Sequence, residues 1–232
     1  MNIVITGGSK GLGKAMAEKF AAAGNDLFLC ARNEQTLHET QLLLQAKFPQ
    51  IQVRVKKTDL TNMQELSEFA DWCLSYGPPD ILIHNAGSFV RGNVHDEPEG
   101  NMENMMQVNF YSAYHLTRRL LPSMIHAGSG HIFNMCSVAS LKAYQNGGSY
   151  SISKFALLGF TYNLREELKS KNIKVTAIIP GAVYTDSWKE SGLDKARFMQ
   201  DKDIAEMVFA ASQLSPSACV EEIIIRPQLG DI

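Results

Sequence analysis

The chain has 232 residues, 45% of them hydrophobic and 20% charged, with a formal net charge of −2. That balance belongs to a globular protein with a substantial core, and it leaves no basic footprint for nucleic acid. No apolar run approaches the roughly 20 residues that span a bilayer, "MNIVITGG" has no basic leader region, and the scattered Cys30, Cys73, Cys136 and Cys219 form no CxxC, so a cytoplasmic protein with reduced thiols and no membrane partner is expected.

In chain order, short β-rich runs alternate with helix-length segments. "NIVIT" (2–6) runs into the glycine-rich "TGGSKGLG" (6–13) and a helical pattern over 11–23. "DLFLCA" (26–31) leads through "CARN" to a helix over 34–47. "IQVRV" (51–55) is followed by Thr61 and, three residues on, Gln64, the spacing of a capping box that starts a helix over 62–75. "DILIHN" (80–85) precedes a long helix at about 102–126, and "HIFNM" (131–135) precedes one at about 150–170. "KVTAII" (174–179), a helix over 203–213 and "VEEIII" (220–225) complete the series. Continuous apolar strands separated by helices predict a parallel sheet covered on both faces. A right-handed βαβ chain of this length folds most simply as one α/β domain, a doubly wound Rossmann sheet of seven parallel strands over residues 1–232.

The glycine loop carries the first chemistry. Gly7 permits a tight turn off the strand, Gly11 lets backbone approach a pyrophosphate, and Gly13 lets the helix pack closely on the sheet. The helix N-terminus then offers free N–H groups to phosphate oxygens. The spacing is GxxxGxG rather than GxGxxG, and the strand before and helix after it favour a nucleotide over a plain turn. An NAD site of this type expects a carboxylate at the end of the second strand to bind the ribose 2′-OH. Here Arg32 stands nineteen residues after Gly13, with Lys10 in the loop as a second cation. Both attract a 2′-phosphate, and Arg binds one through a bidentate fork, so NADP(H) is expected rather than NAD(H).

"SYSISK" (149–154) places Tyr150 and Lys154 four residues apart on one helix face. With these residues the chain resembles the short-chain dehydrogenase/reductase family over essentially its whole length. "TGGSKGLG" looks like that family's TGxxxGxG loop, and "TDL" (58–60) like its adenine-contacting segment. "HNAG" (84–87) matches its NNAG element except at His84. "VNF" (108–110), "CS" (136–137), "YSISK" and "PGAVYT" (180–185) follow in the family's order. The resemblance implies a cofactor set of Gly7, Ser9, Lys10, Gly11, Leu12, Gly13 and Arg32, with Asp59 and Leu60 near the adenine. Asn85, Ala86, Gly87, Pro180, Gly181, Val183 and Thr185 extend it, and Tyr150 and Lys154 belong to it as well as to the chemistry.

A carbonyl that accepts hydride develops alkoxide charge and needs a proton donor and a hydrogen-bond donor beside it. The resemblance assigns Tyr150 as acid/base, Lys154 as its tuner and ribose ligand, Ser137 as the group that orients the carbonyl, and Asn109 as the holder of a relay water. A cation one helical turn away lowers a phenol's pKa, which is the expectation for Lys154 on Tyr150. Ser149, Ser151 and Ser153 are expected as polar helix-face residues, and Met102, Met105 and Met106 as packing residues. No GxSxG elbow or metal-ligand spacing is present, so neither a serine hydrolase nor a metal site is expected.

In the family, the region over about 186–200 forms a variable cover on the substrate. Trp188 either faces that substrate or buttresses the cover, and Phe89 and Tyr144 join it as substrate candidates. The ending "VEEIIIRPQLGDI" and "PGAVYTDSW" look more like bacterial sepiapterin-reductase-like members than like the 3-oxoacyl-thioester reductase branch. This implies an NADPH-dependent carbonyl reductase acting on a small-molecule carbonyl, with a pterin side-chain ketone or a dicarbonyl as substrate. A 3-oxoacyl-thioester reductase and a non-catalytic NADP(H)-binding sensor are the alternatives. A homodimer or homotetramer through the two long helices is expected by the same analogy.

Overall fold

Alternation along the strands decides the layering. In β1 (Asn2–Thr6), Ile3 and Ile5 enter one core while Val4 enters another, as a period of two requires. β2 (Asp26–Ala31) repeats the split, with Leu27 and Leu29 on the first face and Phe28 and Cys30 on the second. The computed structural model describes residues 1–185 and 192–231. Its remaining strands are β3 (Val53–Lys57), β4 (Ile81–His84), β5 (Gly130–Met135), β6 (Ile173–Pro180) and β7 (Glu222–Ile225). All pairings are parallel, in the order β3-β2-β1-β4-β5-β6-β7.

Helices α1 (Gly11–Ala22), α2 (Glu34–Lys47) and α7 (Asp201–Ser212) cover the first face, burying Met16, Phe20, Leu37, Leu44, Ile204 and Val208. α3 (Met63–Leu74), α5 (Ser112–Ala127) and α6 (Gly148–Leu168) cover the second, burying Leu66, Phe69, Leu116, Leu120 and Leu164. Strand order reverses between β1 and β4, and the crevice at the carboxyl ends of those strands is where such sheets bind ligands. No described helix is long and apolar enough to cross a membrane.

Three local readings are corrected. β3 starts at Val53 because the Gln45 side chain takes the preceding backbone, donating to the Ile51 carbonyl at 2.7 Å and accepting from the Val53 N–H at 3.1 Å. α3 is capped by Asn62 rather than Thr61: the Asn62 side chain accepts from the Gln64 and Glu65 N–H groups. Thr61 is already committed, since its N–H and hydroxyl both donate to Asp59 Oδ1 at 2.9 and 2.8 Å. The helix expected over 102–126 is three pieces: α4 (Asn101–Met106), a π turn (Gln107–Tyr111) and α5. Such single π turns often occur at functional sites, and this one carries Asn109 inward to full burial. Met105 is buried as expected, while Met102 and Met106 are half-buried.

Two histidines are built into the sheet. His84 Nε2 meets Thr117 Oγ1 at 2.7 Å and His131 Nε2 meets Thr176 Oγ1 at 2.7 Å. Burial pushes each imidazole from its ordinary 6.5 down to about 3, with the Lys174 charge adding to the effect at His131. Both stay neutral in the folded chain while the unfolded chain protonates them, so stability is full above about pH 6.5 and falls as pH drops towards 3. At about pH 5 each accounts for a loss of roughly 2 kcal/mol. His84→Asn should remove one share of that dependence. Urea-unfolding free energies compared between about pH 7 and 5 test it, and a slope equal to wild type would refute it.

Candidate active site

The crevice is stapled where β1 and β4 end. Thr6 Oγ1 accepts from the Asn85 and Ala86 N–H groups at 3.0 Å each. Asn85 Nδ2 donates back to the Thr6 and Gly7 carbonyls at 3.0 and 3.2 Å. The glycine loop closes around this staple. Gly7 has a φ of 66°, in the left-handed region that favours glycine. A Cβ on Gly13 would stand 2.2 Å from the Gly7 carbonyl oxygen and 2.6 Å from Asn85 Nδ2, so no other residue fits there. α1 has no acidic residue in its first turn and no side-chain cap, leaving its N-terminus to an anion.

A cavity of about 650 Å³ opens beside this loop, lined by Gly7, Ser9, Lys10, Gly11, Leu12 and Arg32 together with Asp59, Leu60, Asn85, Ala86 and Gly87. Thr58, Val108 and Tyr184, which lie within the TDL, VNF and PGAVYT segments, also line it, as do Asn33, Thr36 and Asp201, which were not named as site residues. Burial acts to raise the Asp59 carboxyl pKa, but the two Thr61 hydrogen bonds and the Arg32 charge outweigh it and hold the group below its usual range. A glycine cradle at a helix N-terminus, with Lys10 in the loop and Arg32 in the same cavity lining, fits a phosphorylated dinucleotide.

A second cavity, about 690 Å³, adjoins the first and shares Leu12, Asn85, Gly87 and Thr185 with it. Its lining includes Ser137, Tyr150, Lys154, Pro180, Gly181 and Val183, while Asn109, expected with them, is buried behind it and lines neither cavity. Ser137 follows β5 and its Oγ accepts from the Ala139 N–H at 3.1 Å. The Ser137 side chain lies near enough to the Tyr150 hydroxyl to influence its ionisation. Burial raises the Tyr150 pKa, the Ser137 side chain opposes the rise, and the Cys136 thiol adds to it. The depression expected from Lys154 is absent from this arrangement. Lys154 Nζ lies 5.9 Å from the Tyr150 ring centroid and donates to the Met135 carbonyl at 2.7 Å. Burial also brings the lysine's own pKa down to about 8.

Asn109 is held on every side. Its Oδ1 accepts from the Ser88 N–H at 2.8 Å, and its Nδ2 donates to the Ser88 carbonyl at 3.0 Å and to Ser153 Oγ at 2.9 Å. Lys154 is close by: a Cβ on Gly87 would stand 3.1 Å from Asn109 Oδ1 and 3.6 Å from Lys154 Nζ. Ser149, Ser151 and Ser153 are all buried, which corrects the expectation of a polar outer face. Helix α6 packs against β6, α4 and the 138–140 turn, and Ser149, Ser151 and Ser153 are buried with it.

Of the substrate candidates, Phe89 packs edge-on against Tyr150, with ring centroids 4.7 Å apart. Tyr144 lines the cavity and donates to Asp231 Oδ2 at 2.6 Å, and Arg226 pairs with the same carboxylate. Trp188 lies outside the described residues. Of the stretch 186–200, residues 192–200 are described, and the bridge between Val183 and Met199 anchors its end. Arg91, Gln145, Asn146, Ser151 and Asp231 are cavity residues that sequence patterns did not reveal. Asp231 lies in the ending that already departed from the glycine-rich pattern, although nothing in that pattern singled it out.

Residues 1–196 match the family model for short chain dehydrogenase. The chain is 33% identical to a sepiapterin reductase of Chlorobaculum tepidum, over 99% of this chain and 97% of that protein. Among solved structures, a metagenomic short-chain oxidoreductase in complex with NADP superposes with a TM-score of 0.86 at 27% identity, covering 98% of this chain and 97% of its own. L-sorbose reductase from Gluconobacter frateurii, complexed with NADPH and L-sorbose, gives a TM-score of 0.89 at 26% identity, covering 97% and 94%.

Proposed function

This chain belongs to the short-chain dehydrogenase family, and from that premise we propose that it is an NADPH-dependent carbonyl reductase with Tyr150 as proton donor. The observation that carries the reading is the placement of Tyr150, Ser137 and Lys154 in one cavity that opens onto the glycine-loop cavity. NADPH, when bound, supplies the hydride. Gly7 to Gly13 would take its pyrophosphate, Lys10 and Arg32 its 2′-phosphate, and Pro180 to Thr185 the nicotinamide side.

Ser137 Oγ orients the carbonyl oxygen, and the Tyr150 hydroxyl beside it gives up its proton as charge develops on that oxygen. A phenol whose pKa is raised by burial is fully protonated near neutral pH, the state a reduction requires. Lys154 is largely charged below about pH 8 and serves the ribose and the refilling of the Tyr150 proton. Asn109 fixes Ser88 and Ser153 beside it, and the second lone pair of its Oδ1 is the acceptor that a relay water would use.

The sepiapterin reductase relative supports a pterin side-chain ketone as substrate, with a dicarbonyl as the other candidate. Exposed Tyr111 and Ile125 near and on α5, with Ile152, Phe155 and Tyr162 on α6, support pairing with a second copy as a homodimer or homotetramer. Buried free Cys30, Cys73 and Cys136 support a reducing, cytoplasmic setting.

The test is NADPH oxidation followed across pterins, diketones, quinones, acyl thioesters and sugars. Turnover of a pterin or diketone is the expected result. Turnover of acyl thioesters alone would point to the 3-oxoacyl branch, and NADPH binding with no carbonyl reduced would mark a cofactor-binding sensor.

A further inference from the structure

The catalytic cavity has two facing walls from distant parts of the chain. Ser88, Phe89 and Arg91 come from the loop after β4, while Tyr144 to Gly147 come from the loop leading into α6 and Tyr150 from its first turn. Phe89 closes on the Tyr150 ring across the join. What holds the walls together lies just outside the cavity lining. Ser149, which is 1% exposed, donates its hydroxyl to Glu97 Oε1, and its N–H reaches Glu97 Oε2 at 3.4 Å. Asn101 Nδ2 donates to the same carboxylate at 2.6 Å. Alongside, the Gly92 N–H donates to the Asn146 carbonyl at 3.2 Å, and the Asn146 N–H donates to Asn93 Oδ1 at 3.2 Å. The backbones meet so closely that a Cβ on Gly148 would stand 2.5 Å from the Gly92 carbonyl oxygen.

α6 begins with no side-chain cap of its own, because its N-cap position is Gly147. Glu97 therefore supplies from another loop what a capping side chain supplies locally, a negative acceptor for a first-turn N–H one residue before Tyr150.

We propose that Glu97 is a positioning residue for the reductase: through Ser149 it clamps the 88–97 loop to the catalytic helix and sets the width of the cavity between Phe89 and Tyr150. This rests on the reductase reading above. Loss of the clamp lets the two walls separate, so small carbonyls bind less tightly, while the 7–13 loop and Arg32, which carry the phosphate side of the neighbouring cavity, lie on elements the clamp does not touch.

The experiment uses the intact chain with diacetyl as a small diketone and benzil as a large one. Glu97→Ala should raise KM for diacetyl roughly tenfold and spare benzil, a cost typical of lost positioning. Glu97→Gln, which keeps an acceptor for Ser149, should restore KM to within about twofold of wild type. Ser149→Ala should move KM in the same direction as Glu97→Ala. The double variant should be no worse than either single, since both remove one clamp. NADPH affinity should stay at wild-type strength throughout. The proposal is overturned if a folded Glu97→Ala protein keeps its KM for diacetyl, or if both diketones and NADPH weaken in parallel. It is equally overturned if the glutamine variant fails to rescue. Wild-type protein that reduces no carbonyl would instead sink the reductase reading, before any variant is compared.

Discussion

Tyr150→Phe should leave NADPH bound and remove turnover, lowering kcat/KM by about 10²- to 10⁴-fold, the range that general acid catalysis supplies. Phenylalanine keeps the ring that packs against Phe89 at 4.7 Å and lies 5.9 Å from the Lys154 ammonium, so the walls of the cavity are retained. What disappears is one hydroxyl, the one whose ionisation the Ser137 side chain favours. The carbonyl would still be oriented by Ser137, but the charge growing on its oxygen would have no proton to take except from water. Steady-state NADPH oxidation with any accepted substrate measures the loss, and fluorescence titration of NADPH checks that binding survives. A phenylalanine variant with near-normal rates would end the assignment of Tyr150 as proton donor.

Arg32→Asp should produce the second large effect, lowering the ratio of kcat/KM with NADPH to that with NADH by about 10²-fold or more. A charge-assisted hydrogen bond contributes about 1.5–3 kcal/mol, and a carboxylate in its place adds repulsion against a 2′-phosphate while offering a ribose hydroxyl an acceptor. The change also puts a carboxylate where a guanidinium acted on Asp59, so that wall of the cavity becomes more negative by charge count. Lys10 remains at the loop, which is why residual NADPH use is expected. Parallel kinetics with the two cofactors decide the matter; a ratio equal to wild type would show that Arg32 does not read the phosphate.

Some of this was legible along the chain. The seven apolar runs became seven parallel strands because burial on both faces leaves a continuous signature that needs no partner to be recognised. The glycine loop was legible because its requirements are local: Gly7 for a left-handed turn, Gly13 for a helix start pressed against its own preceding loop. Tyr150 and Lys154 were readable as a pair because helical spacing brings them to one face. Lys154 then proved to be tied to the Met135 carbonyl and itself lowered by burial, a relation no spacing encodes.

The unread parts share a cause. Thr61 resembled a cap, yet Asp59 claimed it and Asn62 took the role, a competition between neighbours settled by geometry. Ser149, Ser151 and Ser153 looked like a solvated face, because burial of one helix depends on elements far away in sequence. Glu97 gave no signal at all, since its meaning comes from Ser149, 52 residues on.

By itself the sequence determined the alternation of elements, the glycine loop and the pairing of Tyr150 with Lys154 on one helix face, all of which depend on contacts within a turn or two of chain. Only the tertiary structure decided which distant side chains complete the site. Parallel strand order brings residues 50 to 80 positions apart within hydrogen-bond reach, as with Thr6 to Asn85 and Glu97 to Ser149, and that adjacency is a property of the sheet.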